Sequence, residues 1–450
     1  MKSEERKEQN EKYIKMTTGP VGPLITGLAI PSAVIMLISA LYNTADTFFV
    51  SFLGTSATAS IGVAFPLMAV IQAVGFFFGH GSGNYIAREL GSRNRQNAAK
   101  MAATGFFSAF IAGVLLAVFG TLFLDPLARM LGATDTILPF ALAYLRFILI
   151  GAPFMTCSLI QNNLLRYQGN SFYGMIGMVS GALINVGLDP LFIFVFHWGT
   201  AGASFATMLS QFISFCVLFI CSNRKDNVRI RFRHFSPSLA NYREIVRGGL
   251  PSLARQGIAS ISGICMNNFA AVYGDEVIAA ISIVQRVFMI AASLVVGIGQ
   301  GFQPVCGFNY GAKLYARVKA GFRFSLIVMT IPLLPLGIFG FIFAPQIIAA
   351  FRPDDAILIE TGTRAFRYQC VTVPLLGWLT ITNMMMQTIG KAFKASLLAA
   401  ARQGFFLLPL LFLLTSLLGP TGILISPPAA DICTFILSIP LSISVFREMR

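Results

Sequence analysis

Charge is what this sequence has least of. Only 11% of its 450 residues are Asp, Glu, Lys or Arg, against about a quarter in an ordinary soluble domain. A folded surface of this size cannot be clothed for water with so few charges. Paired cysteine chemistry is missing too. Cys157, Cys216, Cys221, Cys265, Cys306, Cys370 and Cys433 are scattered with no CxxC pair, which excludes a disulfide framework or a zinc cluster and leaves buried, unreactive thiols. No HExxH, nucleophile elbow or Walker motif occurs. Gly79-His80-Gly81-Ser82-Gly83 is glycine-rich but has neither the strand nor the lysine of a phosphate loop, and reads as a place of close helix contact. Hydrolytic and ATP-driven chemistry therefore find no support, and the chain does not read as an enzyme. No signal peptide is expected either, because Met1 to Lys15 is polar and of mixed charge, the pattern of a short solvated tail.

What is present is apolar. The hydrophobic fraction is 56% and the mean hydropathy is +0.74. Uncharged runs such as Gly105 to Leu124 and Leu326 to Ala344 are long enough to cross roughly 30 Å of hydrocarbon as helices. They lack the alternation of a membrane barrel. The net charge of +15 does not imply a nucleic-acid partner, because it is distributed by loop. Arg88, Arg93, Arg95 and Lys100 form one group; Arg224, Lys225, Arg229, Arg231, Arg233, Arg243 and Arg247 a second; Lys313, Arg317, Lys319 and Arg323 a third; Arg447 and Arg450 a fourth. The intervening loops, Gly54 to Thr58, Asp125 to Asp135, Gly274 to Glu276 and Asp354 to Glu360, are neutral or acidic, with Arg352, Arg364 and Arg367 as exceptions. This positive-inside pattern predicts cytoplasmic termini and an even number of spans.

Apolar runs predict helices near 24–50, 58–87, 98–124, 136–160, 172–197 and 200–222, then 244–271, 277–307, 318–343, 357–386, 393–417 and 421–446. A shift of about 220 positions pairs Pro31 with Pro251, Gly54 with Gly274, Gly79 and Gly81 with Gly299 and Gly301, Gly91 with Gly311, and Gly199 with Gly419, a register that marks an internal duplication. The expected domains are an N-terminal six-helix bundle over 1–222, a cytoplasmic linker over 223–243 and a C-terminal six-helix bundle over 244–450. Six spans per copy make the repeats parallel. Such repeats leave a cleft that rocking opens to either side, the geometry of a secondary transporter.

Ionisable residues inside spans are informative, since each costs roughly 2.5–3.5 kcal/mol on insertion scales. Asp46 lies one turn after Tyr42, and Asp189 one turn after Asn185, so each pair shares a helix face. Pro190 frees a carbonyl beside Asp189. Two carboxylates among amide, hydroxyl and carbonyl oxygens suit Na⁺ or a proton; the competing reading is that each aspartate caps a helix end. The C-terminal half carries Arg255, Arg286 and Arg402, with Asp431 its one deep acid. Arg255 and Arg402 either snorkel to the cytoplasmic face or meet substrate. His80 reads as polar packing or a proton relay. Met384 to Met386 reads as core or as an adaptable pocket lining.

Several segments carry a resemblance. They are Leu41 to Val50 with Phe65-Pro66, Gly79 to Gly91, Asn162 to Asn170, Asn185 to Phe194, Gly199 to Thr207, and Gln303 to Lys319. In this order they resemble the multidrug and toxic compound extrusion (MATE) family, in its MepA-like bacterial branch. The resemblance implies an all-α membrane protein of twelve transmembrane helices, in two homologous bundles forming a V-shaped cleft. It implies a monomeric antiporter in the bacterial cell membrane, which exports small amphipathic, often cationic compounds and needs no cofactor beyond coupling H⁺ or Na⁺. By resemblance, the cation site is Asp46, Asn185, Asp189 and Thr207, the set that would hold Na⁺, with Tyr42 and Asn162 alongside. Pro31 matches a proline whose helix bends, and Met266, Arg286 and Met289 are expected in the substrate cleft. Some relatives instead have an acidic site in the seventh and tenth helices; here Arg255 and Gln256 stand where an early acid is expected. A lipid or polysaccharide flippase of the same superfamily is the alternative reading, favoured if the arginines face the cleft.

Overall fold

The computed structural model describes residues 2–224, 226–351 and 355–449, apart from the side chains of 2–7, 9, 43 and 275. Lys225, Arg352, Asp354 and Arg450 therefore lie outside the described residues. The N-terminal half runs α1 (Lys2–Thr18), α2 (Val21–Ser51), α3 (Thr55–Gly91), α4 (Arg95–Leu122), α5 (Leu124–Met130), α6 (Leu138–Tyr167), α7 (Ser171–Pro190) and α8 (Gly199–Ser222). The C-terminal half runs α9 (Leu239–Ala271), α10 (Asp275–Gly311), α11 (Tyr315–Ile342), α12 (Ala344–Ala349), α13 (Ala356–Thr388), α14 (Ala392–Ala400), α15 (Leu407–Leu418) and α16 (Pro420–Glu448). A π-helical turn over Leu191–Val195 extends α7, and another over Ala401–Phe405 joins α14 to α15. No strand occurs among the described residues.

Ten helical stretches among the described residues are long and apolar enough to cross a membrane. The helices α9 and α13 are as long but more polar. Arg243, Glu244, Arg247 and Arg255 lie on α9, and Glu360, Arg364 and Arg367 on α13. Together they give the twelve expected spans. The tail differs from expectation: its polar residues form α1, because Glu, Lys, Arg and Gln are strong helix formers and neither Gly nor Pro interrupts them. Met16 and Thr17 at its end are buried.

The duplication is visible in backbone angles. Gly54 and Gly274, which open α3 and α10, have φ of 109° and 110°; only glycine enters this region without strain. Arg93 and Lys313, at φ 63° and 60°, turn the chain into α4 and α11. Packing repeats as well. In one half α6 is the hub, touching α3, α4 and α8; in the other α13 touches α10, α11 and α16.

Between halves the contacts are reciprocal, α2 on α10 and α3 on α9. A hydrophobic cluster shared by both halves, including Ile86, Ile245, Phe302 and Phe308, lies at the end bearing the basic loops. Towards the other end the core divides. One cluster belongs to the N-terminal lobe around Ile61, Tyr144 and Leu149, and one to the C-terminal lobe around Met266, Ile281 and Phe366. The molecule is thus a V, sealed at the basic end and split at the other. Outward-facing side chains such as Leu122, Phe123, Ile220 and Leu417 are highly exposed, as expected where the surrounding medium is hydrocarbon.

Candidate functional site

Four N-terminal helices converge near the open end. Asp46 on α2 and Asp189 on α7 are buried, Asp189 completely, with 0% exposure. The Tyr144 hydroxyl, from α6, donates to Asp46 Oδ2 at 2.8 Å. Asn185 Nδ2, one turn before Asp189, donates to Asp189 Oδ1 at 3.1 Å and reaches Thr207 Oγ1 on α8 at 3.4 Å. The Thr207 hydroxyl donates in turn to the Ala203 carbonyl at 3.2 Å. Among the described residues neither carboxylate forms an ion pair with a cationic side chain; the hydrogen bonds to both come from neutral donors.

The unpaired atoms are informative. Asp46 Oδ1, Asp189 Oδ2 and Asn185 Oδ1 are buried without a hydrogen-bond partner. Leaving such acceptors unsatisfied costs on the order of 1–3 kcal/mol each. Three orphaned oxygens around two buried acids are what a bound proton or hard cation would satisfy. Among the described residues no group of three His, Cys, Asp or Glu side chains is placed to hold a metal ion. Neither aspartate caps a helix N-terminus: Asp46 sits five residues before the end of α2, and Asp189 is next to last in α7.

Below the acids lies a cavity of about 300 Å³, whose lining includes Tyr42, His80, Asn162, Asn185, Gln211 and Arg255. Tyr42 and Asn162 thus border the site through this cavity. A small void bounded by both Tyr42 and Thr207 continues it towards α8. Tyr144 was not among the sequence candidates; a phenol deep in an apolar span needs an acceptor, and that need was its only signal. His80 bridges the lobes, its Nδ1 lying 2.7 Å from Ser252 Oγ.

The remaining candidates separate. Met266 and Met289 line a second cavity, in the C-terminal lobe, whereas Arg286 is exposed and does not line it. Arg402 pairs with Asp431 instead of reaching the basic end. Arg255 borders both the N-terminal cavity and a smaller one opposite, with no carboxylate partner among the described residues. Pro31 is buried inside α2, and Met384 to Met386 are buried core residues.

Comparison with known proteins agrees with this architecture. The sequence profile of the family described as MatE matches residues 31–191 and 251–413, one segment in each half. The multidrug export protein MepA of Staphylococcus haemolyticus is 27% identical over 411 residues, which cover 91% of this chain and 90% of that protein. A crystal structure described as MATE in the bent conformation superposes with a TM-score of 0.91 at 27% identity, covering 97% of this chain and 98% of that one. An outward-facing multidrug resistance MATE transporter of the MOP superfamily gives a TM-score of 0.90 at 27% identity, with the same coverage. The chain is a multi-pass membrane protein and belongs to the MatE family of transporters.

Proposed function

We propose that this protein is a cation-coupled antiporter that exports amphipathic, often cationic compounds across a bacterial cell membrane by alternating access. Export is supported by the relatives, which are described as multidrug export proteins. Coupling is supported above all by the orphaned oxygens of Asp46, Asn185 and Asp189. In this reading Asp46, Asn185, Asp189 and Thr207 take up H⁺ or Na⁺ from outside, beside Tyr42 and Asn162, and Pro31 lets α2 bend. The moving bodies are residues 1–222 and 244–450, joined by the linker 223–243. The basic loops and both termini face the cytoplasm, so the V is open outward. The protein works as a monomer among lipids, on small molecules and not on nucleic acid.

The energetics favour exchange. Moving one positive charge outward against 100 mV costs about 2.3 kcal/mol, and one cation moving inward returns it. A monovalent drug exchanged for a monovalent cation is electrically neutral, so the ion's concentration gradient alone drives efflux. In vesicles, Asp189→Asn is expected to abolish gradient-driven ethidium efflux while the protein stays folded; full retained efflux would overturn the assignment. Imposing pH and Na⁺ gradients separately identifies the ion.

A flippase reading has one supporting observation, Arg255 between the cavities with no carboxylate partner among the described residues. It gains nothing from the other two arginines. Arg402 is neutralised by Asp431, and Arg286 is exposed and lines none of the cavities described above. Anionic-headgroup translocation independent of either ion gradient would favour it.

A further inference from the structure

The C-terminal cavity has a volume of about 340 Å³. Its wall is largely apolar, with Met266, Val284, Phe288, Met289, Leu376 and Ile423 among its lining, and carries a single ion pair. Arg402 Nε donates to Asp431 Oδ1 at 2.6 Å. The other carboxylate oxygen, Oδ2, accepts from Gln369 Nε2 at 3.2 Å and from Thr372 Oγ1 at 3.3 Å. Arg402 and Gln369 therefore fix the carboxylate from two further elements, with the single Thr372 hydroxyl proton shared between Oδ2 and the Gln369 carbonyl at 3.2 Å. The Asp431 side chain is 3% exposed, while that of Arg402 is 37% exposed. Arg402 also rides on the π-helical turn, where the Ser262 hydroxyl of α9 donates to the Gln403 carbonyl.

The internal repeat supplies a control. About 220 positions before Arg402 and Asp431 stand Ala182 and Gln211, and both of these line the N-terminal cavity. The equivalent place in the other lobe is thus uncharged, and a lobe of this fold closes without the pair. An ion pair kept at a buried wall is weak evidence of a stability role, since apolar replacements often serve as well.

We propose that Asp431 is the anchor for the cationic head of an amphipathic ligand in this cavity, with Arg402 a tethered competitor that occupies Asp431 when the cavity is empty. A bound ammonium or iminium takes the place of the guanidinium at Oδ1, and Arg402 turns to its exposed side. The Asp431 carboxylate is thereby paired with a cation before and after binding, first the guanidinium and then the ligand head. A neutral ligand of the same size gains nothing from Asp431 and leaves the pair closed. An anionic ligand would have to part Arg402 from a carboxylate whose side chain is only 3% exposed, leaving that buried charge unpaired. Phe288 places an aromatic ring in the lining, suited to the ligand's aromatic body, and Met266 and Met289 adapt to differing shapes. This names the cargo pocket within the export reading above.

The test measures equilibrium binding of ethidium to the purified full-length protein in detergent, with no gradient, so coupling plays no part. Asp431→Asn is expected to weaken binding on the order of tenfold or more, as for loss of a hydrogen bond to a charged group. Arg402→Gln removes the competitor and is expected to tighten binding severalfold. Unchanged binding in Asp431→Asn overturns the proposal, as does weakened or unchanged binding in Arg402→Gln. If Asp431→Asn does not fold, Arg402→Gln alone decides. Opposite signs in the two variants are not produced by a merely structural pair, and failure here leaves the efflux assay of Asp189→Asn free to stand.

Discussion

A carboxylate in the interior of a span is held by its donors, and Asp46 has one from a neighbouring helix, the Tyr144 hydroxyl at 2.8 Å. Replacing Tyr144 with Phe keeps the ring and its packing but removes that donor. We expect Tyr144→Phe to cost on the order of 1–3 kcal/mol of stability, read as a lower unfolding temperature, and to reduce efflux severalfold without abolishing it. Stability and efflux equal to the unaltered protein would show that this bond positions nothing. The residue scale also marks what a sequence can reveal. Asp46, Asn185 and Asp189 were legible because charge in a span is costly and a spacing of four puts Asn185 beside Asp189. Thr207 was legible only by resemblance. Tyr144 was not, since a lone phenol in an apolar run carries no spacing signal and its partner lies on another helix. The ion pair of Arg402 with Asp431 was hidden for the same reason: the two residues sit on different elements, and their meeting depends on packing.

Elements were read more easily than their irregularities. Twelve apolar runs gave twelve spans because hydrocarbon thickness sets a minimum length. The short helices α5 and α12 escaped notice, being too short to span and lying in loops. The π-helical turns were also silent, because an extra residue in a turn changes hydrogen bonding without changing composition. Close helix approach was foreseen for Gly79 to Gly83, where a Cβ at Gly83 would meet the Tyr167 ring, and the tightest approach to backbone lies further on. A Cβ at Gly91 would stand 2.1 Å from the Phe308 carbonyl oxygen, and one at Gly311 2.0 Å from that of Arg88. These are the same contact made twice across the pseudo-twofold. In an ordinary helix interior, Ala in place of Gly stabilises by roughly 0.5–1 kcal/mol. Gly311→Ala should reverse that sign, because the obstruction is backbone and cannot rotate away. The expected result is a lower unfolding temperature and faster hydrogen exchange around Arg88 and Phe308. Gly27→Ala, where nothing lies within 4 Å, is the matched control and is expected to be neutral or stabilising.

For the whole molecule, the proposed alternating access requires the sealed end to open, and in that proposal the bonds crossing it set the balance between the two states. Arg88, at the end of α3, bonds Glu244 Oε2 on α9 at 3.0 Å and the Thr388 carbonyl of α13 at 2.7 Å. On the same side Gln387 Nε2 donates to the Gly248 carbonyl at 2.7 Å, within the C-terminal lobe, and to Ser252 Oγ, which meets His80 from the other lobe. Arg88 and Glu244 are only 15% and 23% exposed in their side chains, so their pairing is less screened than a surface bridge, which is worth about 0–1 kcal/mol. Glu244→Gln keeps the shape and removes the charge. It also loosens Arg247, which Glu244 holds at 2.9 Å, but leaves the Thr388 bond intact. The variant should therefore weaken the seal without destroying it. A loss of about 1.4 kcal/mol changes the ratio of the two states tenfold. Spin labels on α3 and α9 near this end would read that change as a growing long-distance population. The opposite end of the V should draw together in the same molecules, since the lobes move as bodies about one shared core. Separation at the basic end without closure at the other would show that the lobes deform locally, and that rocking of whole bundles is the wrong description of this transporter.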